Sequence, residues 1–329
     1  MIQTGPSTVR AGSSAKRLGA VLAMGVVALV LAASAAHAQQ TAPQREWTVR
    51  EAIRDSLFGD VYADPSRWRP LSLGSFFTEG WDAPWVSPPN GSGGAPRQGW
   101  LNAFDGVFYR LNVSTFGYAH NFNDNGNQYT GLTQFYLPFN QRFEWRFDVP
   151  IVTSNRGGPS NDYRTNFGDF QITPRFLLSE SQDVTQSFNM TIRIPSGRAV
   201  NGNDVTSVTP DYEFWANWWR GLVVRGGVGM TIPDHDTGVR TTFIANLAPG
   251  YYFTSHDLAP FGDLVGYVSA NLSQYTDNNG PSNTTTVTLT PGFRDYLGWN
   301  WYLLGGVVVP VTHPKPFDYQ ILGALMFVF

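Results

Sequence analysis

The sequence predicts an all-β fold, a transmembrane antiparallel β-barrel of the bacterial outer membrane with about twelve strands, preceded by a signal peptide and an irregular N-terminal segment with one short helix. Three observations predict it. In residues 142–148 the chain alternates Arg142, Glu144, Arg146 and Asp148 with Phe143, Trp145 and Phe147, a period of two in which one face is charged and the other is large and apolar, as in a strand between a wet lumen and lipid. The 329 residues are 42% hydrophobic and 15% aromatic but only 14% charged, while mean hydropathy is −0.20; beyond the first 40 residues no apolar run approaches the ~20 that a spanning helix needs. Residues 319–329 alternate again, from Tyr319 through Ile321, Gly323, Leu325 and Phe327 to Phe329.

Taken in order, residues 1–38 read as a cleaved signal peptide. Arg10, Lys16 and Arg17 precede an apolar stretch over 18–35, and Ala36-His37-Ala38 supplies the small-x-small cleavage pattern. Residues 39–105 read as an irregular periplasmic or lumenal segment, because Pro65, Pro70, Pro84, Pro88, Pro89 and Pro96 interrupt any long element. One helix is predicted within it: Thr48 and Glu51 have capping-box spacing, Val49, Ala52, Ile53 and Leu57 share a face, and Gly59 ends the run. This helix either lies under the barrel or belongs to a plug that folds into the lumen. Trp81, Trp85 and Trp100 are candidates for a ring-stacking site.

Residues 106–329 form the predicted barrel. Strands fall near 106–119, 127–138, 142–151, 167–178, 188–194, 207–218, 222–232, 241–253, 263–275, 284–295, 299–312 and 318–329. The connectors over 121–126, 154–166, 195–206, 233–240, 276–283 and 312–317 are Gly-, Pro- or Asn-rich and are assigned outside the cell, with turns near 140, 181, 220, 256 and 298 in the periplasm. Trp218, Trp219, Tyr251, Tyr252, Trp299 and Trp301 then fall at one end as an interfacial aromatic girdle. Phe327 and Phe329 end the chain in the pattern that the barrel insertion machinery reads.

If Phe143, Trp145 and Phe147 face lipid, then Arg142, Glu144, Arg146, Asp148, Asp169, Arg175, Arg193, Asp211, Glu213 and Arg225 line the lumen, with Arg110 and Arg294 beside them. An Arg turned to the bilayer midplane would cost about 2–4 kcal/mol, which fixes the facing. Guanidinium forks suit cross-strand ladders with carboxylates and, where they are in surplus, a constriction that selects small solutes. Ser269, Asn271, Ser273, Thr286, Thr288 and Thr290 make the opposite wall hydroxyl-rich.

Several function classes are excluded. Cys is 0, so there is no disulfide framework, Cys-based zinc site or thiol nucleophile. The 22 basic residues, less the three of the leader, face 25 acidic ones, which argues against a nucleic-acid partner. No HExxH, GxSxG or Walker loop is present, and neither a metal nor another cofactor is implied. The one local constellation suited to hydrolysis is Asp234-His235-Asp236.

The run Asn166-Phe167-Gly168-Asp169-Phe170-Gln171-Ile172-Thr173-Pro174-Arg175-Phe176, together with Leu289-Thr290-Pro291-Gly292-Phe293 and the chain onward to Phe329, resembles the MetA-pathway-of-phenol-degradation family of outer-membrane transporters. The resemblance covers residues 106–329 and implies uptake or efflux of small, often aromatic compounds; it carries no site residues with it. The expected function is that of a monomeric, non-enzymatic outer-membrane barrel, bounded by lipid, that passes small solutes, aromatic or hydrophobic compounds among them, through a charged lumen. The alternatives are a closed structural or adhesive barrel and a rim hydrolase centred on His235.

Overall fold

The structure, a computed structural model, describes residues 47–155, 162–197, 204–219, 221–234, 239–258, 260–277 and 284–329. The predicted signal peptide, His235 and Asp236 lie outside the described residues.

Helix α1 (Val49–Phe58) begins at the predicted capping box: the Glu51 amide donates to Thr48 Oγ1 at 3.3 Å and the Thr48 amide donates to Glu51 Oε2 at 3.0 Å. The Gly59 amide closes it on the Asp55 carbonyl at 2.8 Å. The face it buries is narrower than the expected one. Ala52 and Ser56 are buried while Val49 is exposed, because Ser56 Oγ donates to the Ala52 carbonyl and accepts from the Trp85 amide, both at 2.8 Å, which ties the helix to the chain that follows.

The strand segments are β1 (Leu111–His120), β2 (Gln128–Pro138), β3 (Phe143–Asn155), β4 (Tyr163–Phe167), β5 (Phe170–Glu180), β6 (Val184–Ile194), β7 (Ser207–Trp219), β8 (Leu222–Pro233), β9 (Thr242–Tyr252), β10 (Gly262–Tyr275), β11 (Thr285–Gly298), β12 (Trp301–Pro310) and β13 (Tyr319–Val328). Neighbours pair antiparallel in chain order, and β1 pairs with β13, from Leu111 opposite Val328 to His120 opposite Tyr319, which closes the barrel. Segments β4 and β5 both lie against β3, β4 on residues 151–155 and β5 on 143–148. They are one barrel strand interrupted at Gly168 and Asp169, so the described residues form a closed antiparallel barrel of twelve strands. Closure leaves no sheet edge to satisfy in lipid.

Two boundaries differ from those read in the sequence. The connector expected over 154–166 contains β4, whose residues extend the β3 ladder beyond the main wall. The first strand starts at Leu111 rather than near 106. Residues 106–110 do not pair in the sheet because they are held inside it: a Cβ on Gly106 would stand 2.7 Å from Phe214 Cα, and the Tyr109 amide donates to Glu144 Oε1 at 2.6 Å.

The outer wall is apolar along its length, with Phe116, Ile151, Leu289, Leu303, Val307, Ile321 and Leu325 all exposed. At one end, the turn end, lie the connections β2–β3, β5–β6, β7–β8, β9–β10 and β11–β12; the other is the loop end. Trp218, Trp219, Tyr251, Trp299 and Trp301 are exposed at the turn end, but Tyr252 is not one of them. Neighbouring residues of a strand face opposite sides, and Tyr252 packs inward against the buried cluster around Trp100 and Trp215. Phe327 packs against Trp301, ring centroids 4.8 Å apart, and the Phe329 carbonyl accepts from Arg110 Nε.

Candidate functional site

The N-terminal chain enters the barrel from the turn end, reaches mid-lumen near Asn102 and returns to the turn end to become β1. Irregular backbone inside a barrel needs its carbonyls satisfied by something other than a ladder. Here the barrel's arginines do it. Arg142 donates to the carbonyls of Ser72 at 3.1 Å and Glu79 at 2.8 Å; Arg175 to those of Asp105 and of Val107, the latter at 3.0 Å; Arg225 to those of Arg97 and of Gln98, the latter at 2.7 Å; Arg294 to that of Gln98 at 2.7 Å. All four are fully buried. Arg110, within the entering segment, holds the carbonyls of Ser56 and Gly59 at 3.2 and 2.8 Å.

Carboxylates complete the clamp. Arg175 bonds Glu144 and lies 3.6 Å from Glu213 Oε2. Arg225 Nη1 reaches Asp105 Oδ1 at 2.5 Å, and Glu213 Oε2 accepts the Asp105 amide at 3.2 Å. The tip is held by neutral groups: Asn102 donates to Thr290 Oγ1 at 2.7 Å, and its carbonyl accepts from Ser269 at 2.6 Å and Asn271 at 2.9 Å. The hydroxyl-rich wall is therefore partly a socket for this segment. Gly250 makes room for it, since a Cβ there would stand 2.5 Å from the Trp100 ring, which stacks on Tyr267 at 4.9 Å.

The β5–β6 turn holds the root. Arg97 donates to the carbonyls of Ser181 and Gln182 at 2.6 and 2.8 Å and pairs with Glu180 at 3.3 Å. Asp183 accepts from the Ser92 amide at 2.7 Å and the Ser92 hydroxyl at 2.6 Å, and Asn217 donates to it at 2.9 Å. Burial pushes the Asp183 carboxyl up, but these donors outweigh burial and hold it below its ordinary value. A depressed carboxylate contributes attachment that is complete above the unfolded value, about 3.9, and is lost as pH falls through the lower folded value. A carbon-13 titration of the Asp183 carboxyl is expected to show a midpoint below ~3.9 that rises in Ser92→Ala; a midpoint at or above the ordinary value would refute the latch.

The ten predicted lumen residues thus fall into two groups, with Glu213 belonging to both. Arg142, Glu144, Arg175 and Arg225 engage the inserted segment. Arg146, Arg193, Asp211 and Glu213 line a cavity of about 680 Å³ whose floor is residues 99–105, with Asp148 and Asp169 behind the first two: Arg146 Nε is 3.1 Å from Asp148 Oδ1, and Arg193 Nε is 3.0 Å from Asp169 Oδ2. A cavity of about 40 Å³ lies on the other side of the segment, between Tyr62, Trp85, Arg97 and Val328. The three tryptophans do not meet: Trp81 packs on Phe76 at 5.5 Å, Trp85 on Tyr62 at 5.9 Å, and Trp100 on Tyr267. Sequence reasoning missed Arg97, Asp105, Glu180 and Asn246, whose Oδ1 accepts the Phe104 amide at 2.9 Å; a lone Arg and a lone Asp flanking Trp100 in a Pro/Gly-rich stretch were the available signal.

No protein-family model matches the chain, and no curated protein does. Among solved structures it is similar to an outer membrane channel from Pseudomonas putida F1, with a TM-score of 0.53 at 12% identity over 70% of this chain and 99% of that one. The KdgM porin aligns with a TM-score of 0.44 at 10% identity over 66% of this chain and 99% of that one. At such identities the likeness is one of fold, and the fold is that of an outer-membrane β-barrel.

Proposed function

We propose that the chain is an outer-membrane channel for small solutes whose N-terminal segment is its plug. One observation carries the proposal: residues 97–109, which separate the two cavities, are held by side chains they can exchange for water rather than by strand pairing, the ladder contact of the N-terminal chain among the described residues being the single bridge of Leu71 to Glu180 at the turn end, so the segment can leave without opening the barrel wall. Fold likeness to an outer-membrane channel supports solute passage, and the resemblance of residues 166–176 and 289–329 to the phenol-degradation transporter family favours small aromatic or hydrophobic compounds as cargo. Residues 47–105, with the 106–110 return, are the plug; the strands from Leu111 onward are the wall; Arg146, Arg193, Asp211 and Glu213 face the solute, with Asp148 and Asp169 behind the two arginines; the loop end lies outside the cell. In planar bilayers the protein is expected to conduct rarely and a form lacking residues 47–105 to conduct persistently. Silence of both forms would overturn the channel, and equal conductance of both would overturn the plug.

A further inference from the structure

The cavity on the loop side of the plug has two unlike walls. The wall made by β12, β13 and β1 is mainly aliphatic: Leu304, Leu322, Met326 and Val113 line it, with Thr115 and Gln320 as its polar members. Across the cavity stand Arg146 and Arg193, on either side of Thr191, to which Arg146 Nη2 lies at 3.5 Å. Strand register links the two walls through successive pairs. Val113 is opposite Gln134, Gln134 opposite Asp148, Asp148 opposite Gln171 and Gln171 opposite Arg193.

Arg146, Arg193, Asp105, Asp211 and Glu213 are the charged residues lining the cavity, and the two arginines are the most exposed of them, Asp105 at 14% being held by Arg225. The Arg146 and Arg193 side chains are 17% and 32% exposed, whereas their partners Asp148 and Asp169 are 6% and 0% exposed. Each guanidinium meets its carboxylate through Nε. Among the described residues Arg193 makes no hydrogen bond through either Nη, and Arg146 none through Nη1. Asp211 and Glu213, at the floor, are already engaged, Asp211 by Asn189 at 2.7 Å and Glu213 by Asp105 and Arg175. Open guanidinium forks recognise planar anions by paired donors, and an aliphatic wall facing them holds an apolar body by exclusion of water.

We infer that this cavity binds an amphipathic organic anion, a molecule with a carboxylate or sulfonate head on Arg146 and Arg193 and an apolar body against Val113, Leu304, Leu322 and Met326. The inference rests on reading the cavity as the solute pathway and names the class of solute. Three probes of one shape separate the head groups: 4-phenylbutyrate, 4-phenylbutylamine and 4-phenylbutanol, titrated calorimetrically into the full chain in lipid nanodiscs. The carboxylate is expected to bind saturably and at least tenfold more tightly than the amine or the alcohol. Arg193→Gln and Arg146→Gln, checked for intact barrels by heat-modifiable gel mobility, are each expected to weaken it about tenfold while leaving the alcohol unchanged. Tighter or equal binding of the amine or alcohol, absence of saturable carboxylate binding, or an affinity indifferent to both substitutions would overturn the inference. Conductance of the plug-deleted form is independent of all these outcomes, so failure of the ligand class and failure of the channel are told apart.

Discussion

Replacing Arg225 with alanine is expected to convert rare openings into persistent conductance. Its guanidinium holds the Asp105 carboxylate, the carbonyls of Arg97 and Gln98 and, through Tyr109 Oη at 3.3 Å, a second residue of the return limb; it also lies 4.9 Å over the Trp100 ring. Taking one partner from a buried ion pair costs about 3–5 kcal/mol because the other charge is left behind. All the stranded groups belong to the plug, which regains water by leaving, so the cost falls on the docked state. At 1.4 kcal/mol per tenfold, the docked-to-released ratio drops by roughly a hundredfold to several thousandfold. Lysine keeps the charge but not the fork, and Arg225→Lys is expected to fall between. Single-channel recording of the three proteins checks the order; an alanine variant as quiet as the parent would show that the segment is not the gate.

Arg175→Ala is expected to weaken the barrel itself. Arg175 and Glu144 are both 0% exposed and face each other across β3 and β5, with Asn189 on β6 at 3.3 Å. The guanidinium also lies over Phe108 at 5.5 Å and Tyr136 at 5.3 Å. Truncation leaves Glu144 unpaired where strands meet the plug, a loss of about 3–5 kcal/mol that should lower the urea midpoint of unfolding in bilayers. Removing both charges in Arg175→Met with Glu144→Gln is expected to recover part of it, since Glu144 is then no longer stranded while Glu213, 3.6 Å from the guanidinium in the parent, still loses a partner. An unchanged midpoint in the single variant, or a double variant worse than the single, would refute the pairing's structural weight.

Much of the barrel was legible because lipid imposes a period of two. Arg142 to Asp148 announces β3, its facing and the charged character of the lumen in seven residues, and the Thr48–Glu51 spacing announces α1. The plug was legible only as an irregular stretch, for a physical reason: its partners are backbone carbonyls of residues 97, 98, 105 and 107, and a carbonyl has no letter in the sequence. The same is true of Asn102, whose αL turn (φ 56) presents its own carbonyl to Ser269 and Asn271. The break at Gly168 and Asp169 escaped notice because alternation continues through it; what ends the strand there is Asp169 accepting from Arg193 and from the Gly197 amide at 3.1 Å. Tyr252 was misplaced by taking two adjacent rings as one surface.

The plug's two limbs, from Ser92 up to Asn102 and back to Arg110, enter and leave through one mouth. Such a hairpin is not a thread. A force applied near Trp47 loads its attachments in series: the bonds of Ser92 and Arg97 to the β5–β6 turn bear tension before those of Arg225, and those before Asn102. Bonds broken one after another yield at far lower force than the same bonds sheared together. The wall, whose ladders run along the barrel and share any load among many pairs, is the stiffer element by that measure, so a tug from the turn side would unzip the plug and leave the cylinder standing.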